Sequence, residues 1–149
     1  MSVGEFCNRE VIIVEKQESV VEAAKLMRHH HVGDVVVVEE KEGVNVPVGI
    51  VTDRDIVIEV LAEDVEPASV SVADIMSSEL AKVREEDELL QTIQFMRSRG
   101  VRRLPVVDAQ GGLVGILTVD DVLDLVAEQL SDLVGLATRE QYRESKTRV

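Results

Sequence analysis

The chain has 149 residues, 45% of them hydrophobic and 2% aromatic with no tryptophan, and a formal charge of −13. That is enough apolar material for one domain, or for two small halves sharing a core of Val, Ile, Leu and Ala. The acidic charge opposes phosphate backbones and anionic lipid surfaces, and the scarcity of aromatic rings removes stacking platforms, so neither nucleic acid nor membrane is an expected partner.

The first residues, MSVGEFCNRE, carry neither a basic nor an apolar leader segment, and aliphatic runs such as Val35 to Val38 are far too short to span a bilayer, so a cytoplasmic protein is expected. The single cysteine, Cys7, allows no internal disulfide and no cysteine-based zinc cage. With no His or Lys beside it, Cys7 is expected to be a small buried hydrophobe.

The next segments come in pairs. Sliding the sequence by 69 positions matches Val14 with Val83, Met27 with Met96, Arg28 with Arg97, Val32 with Val101 and Val37-Val38 with Val106-Val107. After a three-residue deletion, where EEKEGVNVP faces the shorter DAQGGL, the shift becomes 66 and matches Gly49 with Gly115, Thr52 with Thr118 and Asp55 with Asp121. Insertions and deletions fall in surface loops, which marks this segment as a hairpin connection.

Each copy opens on an apolar run, VIIV or LAKV, and continues as a helix. Val20, Ala23, Ala24 and Met27 follow the i, i+3, i+4, i+7 spacing of a core-facing stripe, and Leu89, Thr92, Ile93 and Met96 repeat it. Ser19 to Glu22 has the form of a capping box. Gly100 has the place of a left-handed helix end, with His31 at the equivalent position. Strands Asp34–Val38 and Arg103–Val107 are expected to pair as hairpins with Val48–Thr52 and Leu113–Thr118. A second helix ends each copy, giving the order β-α-β-β-α twice and an α/β (α+β) fold class. The stretch VEPASVSVADIM is too short for a free tether, so the halves are expected to pack directly. After Asp121 the apolar residues Val122, Leu125, Val126, Leu130, Leu133 and Val134 predict a helix longer than its counterpart, ending in a solvated or frayed tail, TREQYRESKTRV.

Both copies carry Gly-Ile-x-Thr-x-x-Asp, as VGIVTDRDI and VGILTVDDV. Locally, Thr followed three residues later by Asp closes the first turn of a helix, as a near relative of the capping box. The motif also holds a Gly inside an aliphatic strand, which weakens the strand unless something approaches its backbone closely, and a ligand is one such thing. A hydroxyl, a carboxylate and free N–H groups at a helix start suit a ribose diol beside a phosphate.

VVEAAKLMRHHHVGDVVVVEE with VGIVTDRDI, and LLQTIQFMRSRGVRRLPVVD with VGILTVDDV, resemble a tandem pair of CBS domains, the family named after cystathionine β-synthase, from about Val3 to about Leu130. The resemblance implies two repeats packed as a pseudo-twofold pair: residues 3–66, a short linker at 67–71, residues 72–130, and a helix end and polar tail at 131–149. It implies clefts between the halves that bind adenosine-containing ligands such as AMP, ADP or ATP, with NAD or S-adenosylmethionine also admitted and no cofactor required. It assigns ribose and phosphate contacts to Thr52 with Asp55 and to Thr118 with Asp121. Phosphate contacts fall to Arg54, Arg102 and Arg103, and the base pocket to Ile12, Ile13 and Val36.

Gly33-Asp34 stands where the second copy has Arg102-Arg103, so the clefts are not equivalent. The cleft of Thr52 and Asp55, facing the two arginines, is expected to take phosphorylated ligand better. The cleft of Thr118 and Asp121, facing Gly33 and Asp34, is expected to stay empty or to hold an uncharged or cationic adenosine ligand.

His29-His30-His31 does not suit a metal, because consecutive helical residues diverge by about 100°. No nucleophile, base or phosphate-loop pattern suggests catalysis. The expected role is a regulatory adenosine-ligand sensor, homodimeric and acting on a separate, unidentified protein. The alternative is a structural dimerisation module with unoccupied clefts.

Overall fold

The computed structural model describes residues 1–77 and 79–147. Each repeat forms a three-stranded sheet: β1 (Ile13–Glu15), β2 (Asp34–Lys41) and β3 (Val44–Thr52) in the first, β4 (Val83–Arg84), β5 (Arg103–Val107) and β6 (Leu113–Thr118) in the second. In both, the first strand pairs parallel to the second and the second antiparallel to the third. Even the irregularities repeat, since the register shifts between Val37 and Val38 and again between the equivalent Val106 and Val107. The three extra residues lengthen the first hairpin, which turns through Glu42 and Gly43, both at positive φ.

Helix α2 (Val20–His30) and helix α5 (Leu89–Arg99) supply the parallel crossovers. Val20, Ala23 and Met27 are buried, as are Leu89, Thr92 and Met96, whereas Ala24 is exposed, so the buried stripe is narrower than its spacing predicts. Ser19 accepts from the Glu22 N–H at 3.2 Å, but the Glu22 carboxylate reaches Lys25 instead of closing the box. Both helices end on a left-handed residue, His31 (φ 54°) and Gly100 (φ 66°), as their positions predict.

The run Val35–Val38 is buried on both faces. Val35 and Val37 join Ala23 and Met27 in the core under α2, while Val36 and Val38 meet Ile50 and Ile116 where the two repeats face each other. An unbroken aliphatic strand is what such two-sided burial requires.

The repeats also exchange short segments. Helix α1 (Val3–Phe6) opens the first repeat, yet Val3 is fully buried in the second repeat's core with Leu89, Leu104 and Leu117. Helix α4 (Val72–Ile75), which opens the second repeat, places Val72 in the first repeat's core. Backbone bonds fasten both crossings: Val3 N–H donates to the Asp87 carbonyl at 2.8 Å, and Val72 N–H to the Glu18 carbonyl at 2.8 Å.

These crossings account for the strand glycines. A Cβ on Gly49 would lie 2.5 Å from Met76 Sδ, and one on Gly115 would lie 2.7 Å from Cys7 Sγ. Met76 and Cys7 are equivalent under the repeat shift, so what approaches each strand is a crossing side chain of the protein and not a ligand. Cys7 is half-buried, and burial pushes its thiol up against a smaller downward pull from Arg9. Gly49→Ala is expected to lower stability by about 1–3 kcal/mol through overpacking, and adding Met76→Ala should return part of that loss in urea titrations. Equal stability of Gly49→Ala and the parent would contradict this packing.

The last helices differ. In the first repeat α3 (Asp53–Ile56) passes into one π-helical stretch, Val57–Leu61, and stops. In the second, α6 runs from Val119 to Thr147. The tail from Thr138 onward is therefore helical through Thr147 rather than frayed, while Arg148 and Val149 lie outside the described residues. It is solvated as expected, with every described residue beyond Leu125 exposed. Among the described residues, no helix is long and apolar enough to cross a membrane.

Candidate functional site: a cleft between the repeats

Strand β3 delivers Thr52 to the start of α3, where a closed capping box forms: Thr52 N–H donates to Asp55 Oδ2 at 2.8 Å, and Asp55 N–H to Thr52 Oγ1 at 3.1 Å. Thr118 and Asp121 repeat it at 3.2 Å in each direction. The local reading of Thr-x-x-Asp is thus realised in both copies. It leaves Asp55 Oδ1 without a hydrogen bond among the described residues, so the same side chain that caps the helix keeps an acceptor to offer.

Thr52 and Asp55 open onto a cavity of about 260 Å³ that draws on both repeats. Its other lining residues are Ile50, Ser77, Glu79, Leu80, Ala81, Val101, Arg102 and Arg103. Two residues of one repeat and two arginines of the other, some fifty positions apart in sequence, are brought to one space. Ile50, Leu80, Ala81 and Val101 contribute apolar lining, and Thr52, Asp55, Glu79, Arg102 and Arg103 bring a hydroxyl, two carboxylates and two guanidiniums to the same space.

Ile12, Ile13 and Val36 do not line this cavity. Ile12 packs on the core under α2, and Val36 lies behind Ile50 in the layer between the repeats. Ile13 is exposed in a separate groove with Glu15, Glu18 and Glu22. The 69-residue shift carries Ile12 onto Ala81 and Val32 onto Val101, and it is these second-repeat counterparts that line the cavity. Arg54 is exposed on the first turn of α3 and lines no part of the cavity. Thr118 and Asp121 stand apart from it, on the second repeat. Glu79, on the chain leading into β4, is an acidic wall residue that no motif marks.

The two arginines are held differently. Arg102 is largely exposed, its guanidinium 3.9 Å from Asp120. Arg103 Nε lies 3.0 Å from Asp34 Oδ2, and both side chains are mostly enclosed. Asp34 and Arg103 are equivalent under the repeat shift, so the pseudo-twofold arrangement brings one repeat position against its own counterpart. Two like charges would repel there, and the divergence of the copies turns the meeting into an ion pair. Burial raises the Asp34 carboxyl above its usual range, with Arg103 opposing the rise and Asp53 adding to it. Among the described residues, no three His, Cys, Asp or Glu side chains group to hold a metal ion, and His29 and His30 are exposed on α2.

Comparison with known proteins agrees with this architecture. The family model for the CBS domain matches residues 3–62 and 72–128. CBS domain-containing protein YhcV of Bacillus subtilis is 35% identical over 131 residues, covering 88% of this chain and 87% of that protein. An uncharacterized protein of Methanopyrus kandleri is 42% identical over 125 residues, covering 84% of this chain but 62% of its own length. Among solved structures, the CBS domain pair of protein MJ0100, in complex with 5′-methylthioadenosine and S-adenosyl-L-methionine, is 25% identical with a TM-score of 0.75, covering 87% of this chain and 98% of that one. With two matched repeats and a mixed α/β fold of two three-stranded sheets, the chain belongs to the CBS domain family as a tandem pair.

Proposed function

We propose that the chain is a non-catalytic regulatory module that binds an adenosine-containing ligand in the cleft of Thr52 and Asp55 and communicates its ligand state to a separate protein. The observation that carries this reading is the joining of Thr52 and Asp55 with Arg102 and Arg103 around one partly apolar cavity. Asp55 offers a carboxylate oxygen to the ribose hydroxyls, Ile50, Leu80, Ala81 and Val101 enclose the base, and the arginine side receives the 5′ substituent. AMP, ADP and ATP are the first ligands to test, with NAD and S-adenosylmethionine beside them. The adenosine ligands of the MJ0100 pair support the same class.

A ligand at about a hundredfold over its dissociation constant adds roughly 2.7 kcal/mol of stability, seen as several degrees of melting temperature. Asp55→Ala is expected to lose most of that shift, together with about 1 kcal/mol of ligand-free stability from the opened cap. Loss of the cap with the ligand shift intact would assign Asp55 to the helix start alone.

The second reading, a structural dimerisation module with unoccupied clefts, draws on the closed capping boxes and on the exposed apolar side chains of α6. It is preferred if no adenosine compound in the panel moves the melting temperature. In either reading we expect a homodimer.

A further inference from the structure

Arg103 is not a free guanidinium. Its Nε sits 3.0 Å from Asp34 Oδ2, with side-chain exposures of 29% and 19%. The approach is poorly aligned, so that buried Nε–H makes no hydrogen bond among the described residues even though the charges are in contact. Asp34 is also the direct cross-strand partner of Thr52 in the β2–β3 hairpin, a placement that sets side chains about 5 Å apart on one face. A ligand phosphate drawn to Thr52 and Arg103 therefore arrives beside a carboxylate that already occupies the arginine. The cavity wall itself carries Asp55 and Glu79 against Arg102 and Arg103. With Asp34 behind Arg103, the carboxylates outnumber the guanidiniums, and Arg102 is too exposed to compensate strongly.

We propose that Asp34 is a specificity-determining residue that limits the negative charge the Thr52–Asp55 cleft accepts, ranking an uncharged adenosine ligand first, a monophosphate next and a triphosphate last. This rests on the reading of that cavity as an adenosine site. It reverses the preference for phosphorylated ligand that the Arg102-Arg103 pair suggests when the sequence is read alone, because the carboxylate that neutralises Arg103 comes from the other repeat. With the Asp34 charge removed, the positive charge of Arg103 is no longer neutralised by its neighbour and acts on a ligand phosphate instead.

Titration calorimetry with 5′-methylthioadenosine, AMP and ATP tests this on wild type and Asp34→Asn, with a thermal melt of each to establish folding. Wild type is expected to bind 5′-methylthioadenosine at least tenfold tighter than ATP, a comparison that needs no variant. Asp34→Asn is expected to tighten ATP at least tenfold while moving 5′-methylthioadenosine by less than twofold, with AMP between them. A residue that merely held the repeats together would change all three affinities in parallel, and that result overturns the proposal. So does a wild type that binds ATP the tighter of the two. If 5′-methylthioadenosine binds both proteins and the ratio to ATP is the same in each, the charge limit alone fails. If none of the three binds either protein, the adenosine reading fails and the charge limit falls with it.

Discussion

Leu104→Ala is expected to lower the stability of the protein by about 2–5 kcal/mol, the cost of lost transfer free energy plus a cavity that neighbours only partly fill. Leu104 is fully buried on β5, in a cluster with Val3, Leu89, Met96 and Leu117. These four come from three elements, α1, α5 and β6, and Val3 arrives only through the crossing of α1, so no single element relaxes into the space alone. The melting temperature is expected to fall by on the order of 10 °C. Leu104 also adjoins Arg103 on the same strand, and a loosened β5 should blur the placement of that guanidinium. Chemical denaturation reads the stability change directly, and a loss below about 1 kcal/mol would mean that this cluster is not the packed core described.

The pair Leu130→Glu with Leu133→Glu is expected to convert a homodimer into a monomer, raising the dissociation constant roughly a hundredfold or more, as loss of two buried anchors does. On α6, Leu123, Val126, Leu130 and Leu133 are all more than half exposed, with Val134 and Leu136 beside them. Their spacing alternates three and four residues, the period of a helix–helix seam. Val122 and Leu125, on the flanking face at the start of the helix, pack on the second repeat's core, whereas every described residue beyond Leu125 is exposed and the seam stays uncovered among the described residues. We expect a second copy to supply the matching surface, twofold closure being the commonest way to use one. Sedimentation at tens of micromolar checks both halves of the expectation. A wild type that sediments as a monomer, or a double variant that stays dimeric, would remove α6 from the interface.

The repeat, its β-α-β-β-α order, the two hairpins, the left-handed ends at His31 and Gly100 and the caps at Thr52 and Thr118 were all legible along the chain. Each depends on a few neighbouring residues: a hydrophobic period, a turn that requires positive φ, or a side chain reaching its own backbone three residues on. The meeting of Thr52 and Asp55 with Arg102 and Arg103 was legible only through the resemblance to known pairs, since nothing local joins positions so far apart. What only the tertiary structure decided is which distant group fills each space. Gly49 and Gly115 look alike as openings for a ligand, but Met76 and Cys7 occupy them because α1 and α4 cross between the repeats. Arg103 looks like a phosphate contact, but the pseudo-twofold packing sets its own repeat counterpart, Asp34, against it. A sequence states the charges and volumes it carries. Their net effect at a site depends on the partners that folding places within a few ångströms, because Coulomb and packing forces act across space and not along the chain.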